Sequence, residues 1–319
     1  MAVLVFFEPK EGVNVQKKVP GYSYLLITVI LFSTYEVVSK TLVGKIDPFQ
    51  INFIRFLTGG AILFLLLLLK GDLKIGRKDF YGVIMLGIIN VALSMSLLQV
   101  SLYIPGSKAS VAAVIFSSNP VFVTVFSSVF EKEKLAPYKI TGLFIGLAGI
   151  GIIFSEKLDM GGGNLLSPLL ALLSALFYGL YTVIGRRVSV RIGSLKMNAY
   201  SFVLGSLCLL PVMLFYKVPL FTFDYSGIGQ VAYLSVFVTG VAYLAYFKGL
   251  TLVSASSGSL VFFIKPILAS LIAILFLREA ATVNLFAGTC LVAAGIVVVV
   301  FWPQIRVKIV EKLQEFRNE

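Results

Sequence analysis

The sequence predicts an all-α membrane protein whose ten transmembrane helices form two inverted five-helix repeats. Three observations lead there. Hydrophobic residues make up 58% of the 319 and charged residues only 13%, with a mean hydropathy of +0.97, which excludes an ordinary soluble domain. Apolar runs recur between short polar connections, each near the length of about 20 residues that a helix needs to cross a bilayer. One offset of 146 residues relates the first half of the chain to the second.

Residues 1–20 read as a polar tail, with Lys17 and Lys18 just before the first apolar run. That run is longer than a signal-peptide core and carries no small-residue cleavage site, so it is expected to be retained as the first span. Spans are expected at about 21–43, 48–69, 80–102, 108–130, 137–155, 165–185, 196–216, 227–248, 254–277 and 282–302. The connections carry Gly, Pro, Asp or Lys and are too short for a soluble domain. In the tail 303–319, Ile305, Ile309, Leu313 and Phe316 recur at helical intervals among Arg306, Lys308 and Lys312. This pattern predicts an amphipathic helix lying on membrane lipid.

The offset pairs Tyr35 with Tyr181, Lys40 with Arg186, Asn52 with Asn198 and Gly59 with Gly205. Further on it pairs Ala109 with Ala255, Ser110 with Ser256, Glu133 with Glu279, Gly142 with Gly288 and Gly149 with Gly295. A chance match would lose register at each loop, so the chain divides into repeats at 21–155 and 165–302. Five spans per unit, an odd number, turn the second unit upside down, the plan of many carriers. Of the 27 Lys and Arg, 19 fall in segments on the side of the N-terminus and 6 on the other, with Arg55 and Lys265 inside spans. That bias places both termini in the cytoplasm, in a cell (plasma or inner) membrane. The net charge of +12 is therefore topological, and no nucleic-acid partner is expected.

Composition also narrows the chemistry. With no His, histidine metal sites, histidine bases and Ser-His-Asp triads are excluded. Cys208 and Cys290 lie in apolar runs, read as small buried residues with no disulfide framework. No metal-ligand spacing, paired carboxylates or phosphate-cradling glycine loop occurs, so neither a metal, a cofactor nor an enzyme is expected. Gly142-xxx-Gly146 most simply means close helix contact, and Glu133 and Glu279 read as exposed helix-end charges.

Three charges stand inside spans: Glu36, Arg55 and Lys265. Each is costly in hydrocarbon, by about 2.5 kcal/mol or more, and such residues face cavities or partners. Helical rise sets Glu36 and Arg55 at equal depth on consecutive helices, about 10 Å below the outer edge, which makes an ion pair the economical expectation. Glu36 exchanging a proton, or competing with substrate for Arg55, is the functional alternative. Lys265 falls near the midplane, about 5 Å deeper than Glu36 at helical rise, and Pro266 beside it removes a backbone donor. Its repeat mates are Asn119 and Pro120. Lys265 is expected to face substrate, to titrate as a proton-coupling site, or to bond the carbonyls freed by Pro266. Asn119, Ser117, Ser118, Gln99 and Asn90 could add hydrogen bonds, although interhelical packing explains most such residues equally well. Tyr243, with Tyr35, Tyr178, Tyr181 and Tyr246, is a candidate for the cavity wall.

These residues resemble EamA-type domains of the drug/metabolite transporter superfamily. The likeness rests on FSTYEVVSK at 32–40 and its mate YGLYTVIGR at 178–186, each with a basic residue at its end. Asp47-Pro48, Arg55-Phe56, Pro120 with Glu133, and Pro266 with Glu279 complete it over about residues 21–302. The resemblance implies a carrier with helices three, four, eight and nine around a central cavity, alternating access and often exporting metabolites or amino acids. Where the family commonly has Glu before the second-unit proline, this chain has Lys265, which points away from a cationic substrate. The expected function is export of a small metabolite, amino-acid-like or carboxylate-bearing. A lipid or polyprenyl carrier and a non-transporting sensor are the alternatives.

Overall fold

The computed structural model describes residues 15–130, 137–159, 165–222, 224–253, 255–259, 262, 264–295, 297–298 and 302. Among them all regular structure is helical. The first apolar run forms α1 (Val15–Ser33) and α2 (Tyr35–Lys40), divided at Thr34. The Thr34 hydroxyl turns back to the Leu31 carbonyl and meets the Tyr233 hydroxyl at 2.9 Å. α3 (Pro48–Leu69) begins where Asp47 accepts from the Phe49 amide and Pro48 fills the first turn, where its missing N–H costs nothing.

The third run combines α4 (Arg77–Gly87), a π-helical segment π1 (Ile88–Met95) and α5 (Ser96–Tyr103). The fourth is broken into α6 (Ala109–Phe116) and α7 (Asn119–Phe130), and α8 (Pro137–Asp159) follows. The second half opens on the unbroken α9 (Leu166–Ile192). It continues with α10 (Ser194–Leu207) and α11 (Leu210–Phe215), which are separated by a turn ahead of Pro211. The eighth run repeats the third: α12 (Ile228–Tyr233), π2 (Leu234–Ala242) and α13 (Tyr243–Leu252). The ninth repeats the fourth, with α14 (Ala255–Ser259) and α15 (Lys265–Leu277), and α16 (Val283–Gly295) comes last.

Among the described residues, seven helical runs are long and apolar enough to cross a membrane: Pro20–Lys40, Pro48–Leu69, Arg77–Tyr103, Ala109–Phe130, Leu166–Ile192, Ser194–Phe215 and Tyr225–Leu252. The chain is thus a multi-pass membrane protein. Shorter apolar helices at Ile140–Gly149, Lys265–Leu277 and Val283–Gly295 fall where the fifth, ninth and tenth spans are expected.

Helix contacts recur at the same offset. π1 and π2 begin at Ile88 and Leu234, 146 residues apart. A Cβ added to Gly149 would lie 2.7 Å from the Gly288 carbonyl oxygen, and one on Gly295 would lie 2.5 Å from that of Gly142. α8 and α16 therefore meet backbone to backbone, at a distance only glycine permits. The basic residues closing the two matched motifs do matching work. Lys40 Nζ donates to Leu102 O and Ser107 Oγ, and Arg186 Nε donates to Leu250 O and Val253 O. Each thereby satisfies carbonyls at the end of a neighbouring run.

The connections sort to two ends. At one, Arg191 pairs with Asp79 at 2.6 Å, and Lys196 donates to Asp72 and to the Lys74 carbonyl. At the other, Gln50 reaches the Thr222 carbonyl and the Asp224 amide reaches that of Lys45.

Two expectations are corrected here. Cys208 is half-buried and Cys290 exposed, because an apolar run in a membrane protein has a lipid face as well as a core face. Glu279 is not a free helix-end charge. It accepts from the amides of Ala109 and Ser110 and from the Ser110 hydroxyl, capping the N-terminus of α6, where negative charge is favoured. Glu133 and the 303–319 tail lie outside the described residues.

Candidate functional site

The site forms where the two broken runs meet the first, second, third, sixth and eighth helical runs. Pro120 cannot donate to Phe116, four residues back, so the fourth run breaks at Ser117–Ser118. Asn119 Nδ2 donates to the freed Phe116 carbonyl at 2.9 Å. Pro266 stands in the first turn of α15, as Pro120 does in α7. Both half-helices thus start in the interior, at Asn119 and Lys265, which are both buried.

Lys265 Nζ meets Glu36 Oε1 at 2.5 Å, with both side chains almost completely buried. Its ammonium also lies 4.4 Å from the centroid of the Phe116 ring, a cation–π contact. The expected pairing of Glu36 with Arg55 is corrected in this conformation, where Glu36 pairs with Lys265 instead. Counting helical rise assumed straight, unbroken helices. Glu36 instead sits just past the break at Thr34, Lys265 just past the break before α15, and the flexible lysine stem closes the remaining gap.

Arg55 takes a different environment. Its Nε donates to Asn52 Oδ1 at 2.8 Å, and its guanidinium carbon lies 4.6 Å from the Tyr35 ring centroid and 4.4 Å from that of Phe56. Nη1 and Nη2 are buried without a hydrogen-bond partner.

Between these groups lies a small cavity of about 10 Å³, room for about one water. Its wall takes Phe32 and Tyr35 from α1–α2, Arg55 from α3, Met95 and Leu98 from π1–α5, and Phe116 from α6. Tyr178 of α9, Val238 of π2, Tyr243 and Lys265 complete it. The third, fourth, eighth and ninth runs all contribute, as the resemblance implies, and the first, second and sixth join them. Both π segments flank the cavity, in keeping with the association of such segments with functional sites.

Of the sequence candidates, Lys265, Tyr243, Tyr35, Tyr178 and Arg55 reach this wall. Asn119, Ser117 and Gln99 stand behind it. The Ser117 hydroxyl donates to the Ala113 carbonyl one turn back, and Gln99 Oε1 accepts from Tyr35 at 2.6 Å. The aromatic lining was only partly readable. Phe32, Phe116 and, packed against it, Phe262 sit among 27 phenylalanines, and no spacing distinguishes these three.

This arrangement defines a class: a helical membrane protein with discontinuous helices meeting at a buried, charged centre. The EamA-like transporter family model matches residues 19–155 and again 165–301, so the chain belongs to that family, within the drug/metabolite transporter superfamily. A protein of Clostridium kluyveri named an uncharacterized transporter is 34% identical, over 87% of this chain and 92% of its own. The Bacillus subtilis protein named uncharacterized transporter YoaV is 28% identical, over 85% and 94%. A solved crystal structure superposes with a TM-score of 0.67 at 20% identity, over 90% of this chain and 97% of that one, which shows the shared fold.

Proposed function

We propose that this protein is a secondary active transporter of the cell membrane, exporting a small amino-acid-like or carboxylate-bearing metabolite. In this reading ten spans form two inverted repeats, about 21–155 and 165–302, with both termini cytoplasmic. The observation that carries it is the pair of half-helices opening at Asn119 and Lys265 onto a buried centre with three charged side chains. Buried charge inside a membrane bundle marks a solute or ion pathway more often than a scaffold. Discontinuous helices at the meeting of two repeats are where carriers hold their substrates. The cavity has room for about one water in this conformation, and rocking of one repeat against the other would widen it and expose it to each side in turn. Glu36 and Lys265, linking the first run to the ninth, are the groups through which a proton would be coupled.

The test is counterflow in liposomes holding the purified protein, with a labelled panel of amino acids and monocarboxylates, with and without a pH gradient. Accumulation above empty liposomes, reduced in Lys265→Met, is the expected result. Absence of flux for every solute on the panel would overturn this reading.

One observation favours lipid carriage as a second reading. A lateral groove of about 590 Å³ is lined by Val37, Val38, Ile272 and Phe276 beside Thr34 and Tyr233, on the helix that carries Glu36. Transfer of a fluorescent lipid between vesicle populations by the purified protein would select it.

A further inference from the structure

From the sequence Lys265 is the residue expected to face substrate; for anion recognition the geometry points elsewhere. We propose that Arg55 anchors the substrate, holding the oxyanion of a singly charged anion whose apolar or aromatic body lies among the surrounding rings. This deepens the transport reading and rests on it.

The argument begins with charge. Glu36 and Lys265 lie in direct contact and cancel. Arg55, fully buried on the same cavity, has no carboxylate within ion-pair distance among the described residues, so the centre carries one uncompensated positive charge. A buried ion left in that state is strongly unfavourable. The rings of Tyr35 and Phe56 ease the cost without supplying an acceptor for Nη1 or Nη2. Those two nitrogens form a planar fork that fits a carboxylate with two parallel hydrogen bonds.

Other vacant donors lie close by. Gln99 Nε2 and Asn90 Nδ2 are buried without partners, while their oxygens accept from Tyr35 at 2.6 Å and Tyr243 at 3.5 Å. Both amides therefore have N–H groups to spare in this conformation. Around the centre, hydroxyls apart, four vacant donor nitrogens among the described residues (Arg55 Nη1 and Nη2, Gln99 Nε2 and Asn90 Nδ2) stand against two vacant acceptors, Glu36 Oε2 and Asn119 Oδ1, an imbalance that an oxyanion redresses. Lys265 is poorly placed for that task, since an incoming anion would have to displace Glu36. A net charge of plus one favours a monoanion over a zwitterion and opposes a cation.

Three probes that share a phenyl ring test this on detergent-purified protein: 3-phenylpropionate, phenylalanine and 3-phenylpropylamine, with calorimetric binding and thermal unfolding as readouts. The anion should raise Tm and bind more tightly than the zwitterion, with no response to the amine. Arg55→Gln should abolish the response. Arg55→Lys keeps the charge but loses the fork, and should weaken binding about tenfold. Glu36→Gln with Lys265→Met removes the neutral pair and alters the wall, shifting affinity, but leaves Arg55, so the preference for the anion over the zwitterion should persist. Loss of binding in that double variant with retention in Arg55→Gln would make Lys265 the anchor. That outcome overturns the inference while leaving the transport reading, judged separately by counterflow, intact. Equal binding of all three probes, or no binding of the anion, overturns it as well.

Discussion

At the scale of single residues, the site turns on which cation Glu36 meets. Its carboxylate could in principle pair with Arg55 or Lys265, and the fold gives it to Lys265 at 2.5 Å. Desolvating two charges costs nearly as much as their attraction returns, so such a pair is best tested by removing one partner or both. Glu36→Gln should destabilise the protein by about 3–5 kcal/mol, and Glu36→Gln combined with Lys265→Met should cost far less. Unfolding in detergent measures both, and equal losses in the single and double variants would rule out the pairing. The partner of Glu36 was not legible in the sequence. That Glu36, Arg55 and Lys265 are the charges inside spans was, because charge stands out in so apolar a chain; that all three meet at one cavity was not.

At the scale of elements, proline and glycine set the shape. Pro120 and Pro266 break two runs, and these breaks were readable because a missing backbone donor is a local property. The π segments were not, since nothing in IINVALSM or LSVFVTGVA marks an i→i+5 turn. Glycines allow the closest contacts: a Cβ on Gly205 would lie 2.7 Å from the Gly87 carbonyl oxygen, and one on Gly295 would meet the backbone of Gly142 and Gly146. Gly205→Ala and Gly295→Ala should therefore each lower stability by about 1–3 kcal/mol through overpacking. Gly151→Ala is the control. It meets open space and should change stability by less than about 0.5 kcal/mol or raise it slightly. Thermal unfolding of the three variants, with Gly151→Ala as unstable as the others, would refute this account of the contacts.

At the scale of the molecule, the question is which ends share a side of the membrane. Lys74 lies with Lys196 and Asp72, whereas Lys217 precedes the segment in which Thr222 and Asp224 contact Gln50 and Lys45. In a variant with Cys208 and Cys290 replaced by alanine, cysteines introduced at Lys74 and Lys217 should react with an impermeant maleimide from opposite faces of the cell membrane. Labelling of both from one face would defeat the inverted-repeat reading. In the proposed orientation Lys74 is the one labelled from the cytoplasmic face.

What the sequence determined by itself follows from interactions within single segments. A run of apolar residues satisfies its own backbone hydrogen bonds as a helix, so multi-pass character is fixed by composition and length. The 146-residue register and the two proline breaks are likewise written along the chain. Tertiary structure decided what depends on helix rotation and on contacts between distant segments. It selected Lys265 as partner of Glu36 and turned Glu279 onto the first amides of α6. It also drew Phe32, Phe116 and Tyr178 into the wall while leaving Asn119 and Ser117 behind it. Above all it isolated Arg55. A buried guanidinium with two vacant nitrogens exists only once every neighbour has been packed and none has offered it an acceptor.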